Sequence, residues 1–316
     1  MANKHTSYDL AQMQSLPLEA KIMMSQRRIY DWYDHWHGLV YISFSGGKDS
    51  TVLRHLCKNL PLVHEVPVVF VDTGLEYPEV RKFAVKNADV VLRPEMRFDE
   101  VIQTYGYPVI SKEVANTISG AKPGNTRWLK LRGELINPET GAPSVFNMKK
   151  WGFMLDAPFK VSDKCCDVMK KRPARQYEKE TGRKPMLGLL AGESLKRRRS
   201  WEKTGCNAYD KKDPQSQPLA FWTEQDILEY IKRYNLEYAS VYGDIVKDEN
   251  GNWKTTLCDR TGCVFCGFGC HLEKGKNRFQ RMKETHPRQY NYCMRPVEEK
   301  GLGMREVLEY IGIPYE

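Results

Sequence analysis

Lys48 and Asp49 stand directly behind a pair of glycines, Gly46 and Gly47, and between two serines, Ser45 and Ser50, in the stretch FSGGKDSTVLRHL. Glycines let a backbone turn until its N–H groups converge, and converging N–H groups bind anions. Two hydroxyls, an ammonium and a carboxylate at one turn describe a grip on a phosphate chain. The lysine offers a positive charge to phosphoryl oxygens, and the helix start adds its dipole. The spacing G-x-x-x-x-G-K-[ST] is absent, so this is not the P-loop.

A second chemistry is written in cysteine. The chain has nine, and they are clustered: Cys165 and Cys166 in KCCDVMKKRP, then Cys258, Cys263, Cys266 and Cys270 in CDRTGCVFCGFGC. An odd, clustered set is unlike a secreted disulfide framework and is expected of metal binding or catalysis in a reducing compartment. Four thiolates suit a 4Fe-4S cluster, with zinc as the alternative. Two ligand sets are open. One is local, Cys258, Cys263, Cys266 and Cys270. The other joins Cys165 and Cys166 to Cys263 and Cys266, and it is favoured because a local site gives the distant pair nothing to do. Cys293, in YNYCMRP, is a nucleophile or sulfur carrier if it is a thiolate, and otherwise an inert thiol. Cys57 reads as core, Cys206 has no assignable role, and His271 is a bystander or an additional ligand.

These residues need elements to hold them. Pro17 to Trp36 has a proline-led helical pattern, Leu39 to Phe44 reads as a buried strand, and Ser50 to Cys57 as a helix. Val66 to Val71 and Asp89 to Leu92 read as strands around a helix from Pro78 to Asn87. Later, Pro173 to Thr181 reads as a helix, Pro185 to Leu190 as a strand, and Thr223 as the N-cap of a helix over Glu224 to Tyr234. Alternation of strand and helix predicts an α/β fold, a parallel twisted sheet with helices on both faces. Residues 1–37 are expected to form an N-terminal helical segment and 38–245 the nucleotide-binding domain, with an irregular insertion at 120–164. Residues 246–316 are expected to form a small cysteine-rich C-terminal module.

The chain has 316 residues, a hydrophobic content of 41% and a net charge of +9. No apolar run is long enough for a membrane helix and no apolar leader is visible, so a cytoplasmic protein with no membrane partner is expected. The charge is concentrated. Lys160 to Lys203 carries fourteen Lys and Arg against six Asp and Glu, which is either a solvated face or a surface for DNA, RNA or another anion. Arg127, Trp128, Lys130 and Arg132 could track a phosphate backbone and stack a base, or form an ordinary surface loop around one buried Trp.

The form S-G-G-K-D-S resembles the PP-loop of the ATP pyrophosphatases, which cleave ATP between the α and β phosphates. VVFVDTGLEYPEVRKF resembles the D-T-G-x-x-x-P-E signature of the phosphoadenosine phosphosulfate reductase family. GLLAGESLKR is similar to that family's strand-to-loop motif, and QPLAFWTEQDILEYI to its Pro-Leu, Trp-Thr and helix motif. The resemblance covers roughly residues 38 to 270. It implies an adenine nucleotide alpha-hydrolase-like, Rossmann-like fold. It implies ATP with Mg2+ held by Ser45, Gly46, Gly47, Lys48, Asp49 and Ser50, and a ribose or base beside Asp72, Thr73 and Gly74. Glu193, Ser194 and Arg197 would face the substrate's anionic group. In the family branch that reduces adenylyl sulfate, a Cys-Cys pair followed by basic residues and a proline joins a distant C-x-x-C around a four-iron cluster. Lys170, Lys171 and Pro173 fit that pattern, which implies Cys165, Cys166, Cys263 and Cys266 as ligands.

Reductases of the family attack a sulfonucleotide with a late cysteine in an E-C-G-L-H setting, whereas this tail reads GMREVLEYIGIPYE and its late cysteine is Cys293. The expected function is therefore adenylylation-dependent sulfur transfer with Lys48, Asp49 and Cys293 in catalysis, on an acceptor that includes nucleic acid among the options. A sulfonucleotide (APS/PAPS) reductase and a non-catalytic nucleic-acid-binding protein are the alternatives.

Overall fold

The computed structural model describes residues 3–61 and 63–316. Its chain divides into two compact units. One comprises Met1–Asp72, Glu76–Arg93 and Pro173–Thr261, and the other Thr73–Leu75, Pro94–Arg172 and Gly262–Glu316. This partition cuts across the expected sequence blocks. Residues 246–261 cluster with the unit that holds Ser45–Ser50, and 262–316 cluster with 94–172.

The first unit is built on a six-stranded sheet. Its spatial order is Val90–Leu92, Val68–Val71, Val40–Phe44, Lys184–Leu187, Gln215–Ser216 and Asn207–Ala208. Neighbours run parallel except the last pair, which is antiparallel. Valine, isoleucine and phenylalanine at every position of Val40–Phe44 and Val68–Val71 except Tyr41 and Ser43 suit strands buried between helices. Ile42 is paired with Val68 on one side and Met186 on the other. The chain thus lays strands to one side of Val40–Phe44 and then returns to the other. The order reverses between Val40–Phe44 and Lys184–Leu187, and ligands of open α/β sheets bind at the carboxyl ends of strands flanking such a reversal.

The expected elements are present with shifted ends. The helix after the first strand runs Lys48–Lys58, so it begins two residues earlier than the periodicity predicts and takes Lys48 and Asp49 into its first turn. The strand expected to reach Leu190 stops at Leu187. A helix over Ser7–Gln14, capped by Thr6, lies in the segment 1–37, where the periodicity marked only Pro17 to Trp36. The helix Glu224–Arg233 has the predicted Thr223 cap, and Asp226 reaches back to the Thr223 N–H at 2.6 Å.

Asp226 has a second partner. Lys21, on the helix Leu18–His35, donates to both its carboxylate oxygens, at 2.8 and 2.7 Å, and its side chain is only 3% exposed. Nearby, Trp222 Nε1 donates to Ser25 Oγ, which donates to the Pro218 carbonyl. The N-terminal helix is therefore fastened to the core by polar links set among fully buried Trp32, Trp222 and Phe221.

The second unit is mostly helical. Within it, Gly267–Phe268 pairs in parallel with Val109–Ile110. A Cβ on Gly267 would meet Val109 Cγ1 at 2.7 Å, so glycine is what lets the strands meet. The expected irregular insertion contains two elements, a helix Thr126–Arg132 between an Asn125 cap and Gly133, and a 3-10 helix Lys149–Asp156. Residues 134–148 hold neither helix nor named strand. Among the described residues, no helix is long and apolar enough to cross a membrane.

Two substitutions test this packing. Lys21→Met leaves the Asp226 carboxylate buried without its cation and is expected to lower the unfolding free energy by about 3–5 kcal/mol. Gly188→Ala places a Cβ 2.8 Å from the Asp49 carbonyl carbon and the Ser50 nitrogen, both backbone atoms that cannot step aside. It is expected to cost about 1–3 kcal/mol. Both are read as lower urea midpoints at an unchanged denaturant slope.

Candidate functional site

The loop Ser45–Gly47 leaves the first strand at the reversal point of the sheet. Gly46 has a φ of +72°, and a Cβ there would lie 2.9 Å from the Val80 carbonyl oxygen and from Ala84 Cβ. Only glycine satisfies both conditions. Gly47 is the N-cap residue and supplies no side chain to the free N–H groups of the helix behind it. The two serines brace the turn. Ser50 Oγ accepts from the Ser45 N–H at 3.2 Å, lies 3.1 Å from Ser45 Oγ and donates to the Gly47 carbonyl at 3.0 Å. They were expected to offer hydroxyls outward, and the structure gives those hydroxyls internal partners.

Lys48 is 6% exposed. Its ammonium is paired with Glu224 at 3.0 Å, donates to the Asp259 carbonyl at 2.8 Å and stands 5.0 Å from the centre of the Tyr242 ring. Tyr242 in turn shares a hydrogen bond of 2.7 Å with Thr261. Asp49 keeps part of its surface open but is closely surrounded. Loss of water pushes its carboxyl up to about 6; Lys48 opposes the rise, Glu224 adds to it, and Arg260 and Arg197 oppose it.

Glu193 and Arg197 lie on the other side of the reversal, after the strand Lys184–Leu187. They form an ion pair, and Arg260 approaches Glu193 at 3.5 Å. Burial lowers the Arg197 pKa, with Asp49 opposing and Arg260 adding to the fall. Ser194 caps the helix Leu195–Thr204 by accepting from the Arg197 N–H. Lys48, Asp49, Glu193 and Arg197, all named from the sequence, thus come together. Glu224, Tyr242, Asp259 and Arg260 join them and were missed. Glu224 sits in a motif recognised for its helix, while a backbone carbonyl such as that of Asp259 leaves no signature in residue type.

Asp72 is 7% exposed and receives a two-pronged ion pair from Arg81, with both contacts at 2.7 Å. Thr73 Oγ1 accepts from the Leu75 N–H, and Gly74 has a φ of +71°. The partition of the chain falls directly after Asp72. In the second unit, the Val264 N–H donates to the Leu75 carbonyl at 2.8 Å, so the C-x-x-C stretch lies against the end of the D-T-G signature.

The cysteines sort by unit. Cys165, Cys166, Cys263, Cys266 and Cys270 belong to the second, and Cys258 to the first. Burial raises the Cys165 thiol, and Cys166, Cys263 and Cys266 raise it further. Cys266 is pushed up to about 11 by burial and then by Cys263, with Cys166 also contributing. The four thiols of the favoured set are therefore electrostatic neighbours across a gap of nearly a hundred residues. Mutual raising is what clustered thiols do to one another, and a bound cation reverses it. Cys270 is instead pushed up to about 11 by burial and then by Glu273, with Arg278 and Arg281 opposing. Among the described residues, no three His, Cys, Asp or Glu groups stand in a metal-holding arrangement. The donor chemistry fits a thiolate-bound group; the spacing of the side chains is not that of a closed site.

Cys165 and Cys166 precede a π-helical turn, Asp167–Lys171, a form that recurs at functional positions. Cys293 is 0% exposed in the helix Pro287–Met294, and burial raises its thiol strongly. That environment opposes the catalytic role expected of it. The basic segment is also divided. Arg183 donates to the Gly38 and Val40 carbonyls and Lys184 lies over Trp36, whereas Lys196, Arg198 and Arg199 face solvent. In the insertion, the Arg132 guanidinium lies over the Trp128 ring at 5.2 Å.

A family model for the phosphoadenosine phosphosulfate reductase domain matches residues 39–108 and 125–267. Uncharacterized protein MJ0066 of Methanocaldococcus jannaschii is 26% identical over 230 residues, 72% of this chain and 36% of that protein. Uncharacterized protein MJ0973 of the same organism is 30% identical over 111 residues, 34% of this chain and 26% of that protein. The chain thus spans about a third or less of the length of these curated relatives. The crystal structure of phosphoadenylyl-sulfate (PAPS) reductase from Candida auris, a phosphate complex, aligns with 80% of this chain and 100% of its own at 12% identity and a TM-score of 0.39. The matched residues include the phosphate turn, the D-T-G stretch, Glu193, Arg197 and all four cysteines of the favoured set, and the chain belongs to the phosphoadenosine phosphosulfate reductase domain family.

Proposed function

We propose that the protein uses ATP to adenylylate an acceptor and then exchanges the adenylyl group for sulfur. The observation that supports this best is the position of Lys48 and Asp49 in the first turn of a helix at the reversal of the sheet, facing Arg197 and Arg260. An acceptor oxygen attacks the α-phosphorus, the bond to the bridging oxygen breaks, and pyrophosphate leaves. Lys48 and the N–H groups behind Gly47 offset the negative charge that grows on the leaving group. Asp49, as a carboxylate, would hold a magnesium ion, which would supply positive charge to the phosphates. A sulfide donor then attacks the activated atom of the acceptor, the bond from that atom to the adenylylated oxygen breaks, and AMP leaves with the oxygen. Cys165, Cys166, Cys263 and Cys266 are the residues to hold a 4Fe-4S cluster, with zinc as the alternative, and a cluster at that place would supply a binding or redox point for sulfur. Solvent-facing Lys196, Arg198 and Arg199 favour an acceptor with a phosphate backbone, DNA or RNA.

Sulfonucleotide reduction is the second reading, carried by the family match. It needs a thiol that can reach the nucleotide, and the burial of Cys293 weighs against it.

Lys48→Ala combined with Asp49→Ala is expected to slow pyrophosphate release from ATP by roughly 10²–10³-fold or more, with the fold retained by circular dichroism. Release at the normal rate from the intact double variant would exclude the mechanism.

Asp49 also predicts a pH effect on stability. Its folded pKa, about 6, lies above the ordinary value of 3.8, so the folded state holds the proton longer than the unfolded state. Stability from this group is therefore greatest below about pH 4 and is lost as pH rises through about 6. In metal-free buffer, Asp49→Asn is expected to flatten that part of the stability profile; an unchanged profile would show that Asp49 titrates normally.

A further inference from the structure

Three cations and three carboxylates meet around the phosphate turn: Lys48, Arg197 and Arg260 with Asp49, Glu193 and Glu224. The set is balanced without a ligand. A carboxylate does not bind an anion, so Glu193 and Glu224 cannot contact phosphate themselves. They hold cations that phosphate would otherwise take.

Arg260 has an unusual setting within this cluster. It lies on a short turn after the strand Trp253–Thr255 that is tied to itself. Thr255 Oγ1 donates to the Cys258 carbonyl at 3.1 Å and lies within 3.1 Å of Asp259 Oδ1, and Cys258 Sγ donates to the Arg260 carbonyl at 2.9 Å. The neighbouring residue, Asp259, lends its carbonyl to Lys48. The turn is therefore latched to the phosphate loop through backbone, while its arginine reaches Glu193 at 3.5 Å with a side chain still 58% exposed. A guanidinium at that distance from its carboxylate, mostly in solvent, is weakly held. Its planar fork matches a phosphate better than the point charge of Lys48 does.

We propose that Arg260 is a phosphate-binding residue of the nucleotide site, held in reserve by Glu193 and transferred to the nucleotide's phosphates when they enter. This rests on the reading that the Ser45–Ser50 turn binds ATP. Entry of the phosphates takes Lys48 from Glu224 and the Asp259 carbonyl. The turn bearing Arg260 is released from that latch and kept at the site by its arginine. Glu193 acts as the ligand's competitor, so removing its charge strengthens binding, while removing Arg260 weakens it.

The test is calorimetric binding of α,β-methylene ATP, which cannot be cleaved at the bond in question, to the full chain and to Arg260→Gln, Arg260→Lys and Glu193→Gln. Arg260→Gln is expected to weaken binding by about 10–100-fold, the range for losing hydrogen bonds to a charged group. Arg260→Lys recovers part of that loss, and Glu193→Gln tightens binding several-fold. A residue that merely supported the fold would weaken binding in all three variants alike. If the parent chain binds the analogue and Arg260→Gln binds it equally well, the proposal is overturned and the nucleotide reading stands. If the parent chain does not bind the analogue, the nucleotide reading falls and this proposal falls with it. Because Arg260 is largely exposed, its variants are expected to keep the parent's melting temperature, which separates lost binding from lost structure.

Discussion

A buried ammonium sets the terms for the whole cluster around the Ser45–Ser50 turn. Lys48 is almost wholly covered, and an unpaired charge in such a place is costly. The Glu224 carboxylate, the Asp259 carbonyl and the Tyr242 ring meet that cost, and they come from parts of the chain more than 170 residues further on. The same need explains why the helix Glu224–Arg233 and the turn after Thr255 are brought to the first strand. At rest, Lys48 is matched by Glu224, and Arg197 and Arg260 both approach Glu193.

The two chemistries read from the sequence fall in separate units, the phosphate turn in one and the four grouped thiols in the other. The covalent chain passes between them at the D-T-G signature, where Asp72 belongs to the sheet and Thr73 to the cysteine-bearing unit. It passes again between Thr261 and Gly262, just before the C-x-x-C stretch. Val264 and Leu75, one from each of these crossings, are hydrogen-bonded to one another. Within the second unit, the residue that follows the signature thus pairs with the backbone that carries Cys263 and Cys266.

The sequence was most legible where local chemistry and periodicity agreed. The glycine turn, the helix Pro78–Asn87 and the Thr223 cap are written in consecutive residues, and each is where it was expected. The strands Gln215–Ser216 and Asn207–Ala208 were not legible, because two residues carry no period and their pairing depends on the rest of the sheet. The helix Thr126–Arg132 was hidden for a related reason. Seven residues with one Trp and four positive or polar side chains show no apolar stripe, and its ends are fixed by Asn125 and Gly133. In the site, Lys48, Glu193 and Arg197 were found by type and motif. Arg260 looked like one charge among many, and its place is created only by folding. Cys293 was left open between nucleophile and inert thiol, because position near the end of the chain says nothing about its burial.

The π-helical turn after Cys165 and Cys166 has a geometric consequence. Such a turn carries one residue more than an α-helix needs to make the same circuit. Each residue of an α-helix rotates its neighbours by roughly 100°. Tightening Asp167–Lys171 into regular helix would therefore swing either the cysteine pair or the helix Arg172–Thr181 by about that angle. The pair and the buried Pro173 could not both keep their present facing. The surplus residue works as a phase shift, letting one continuous run of backbone serve two differently aimed ends, and it makes the chain length between Cys166 and Pro173 a fixed quantity.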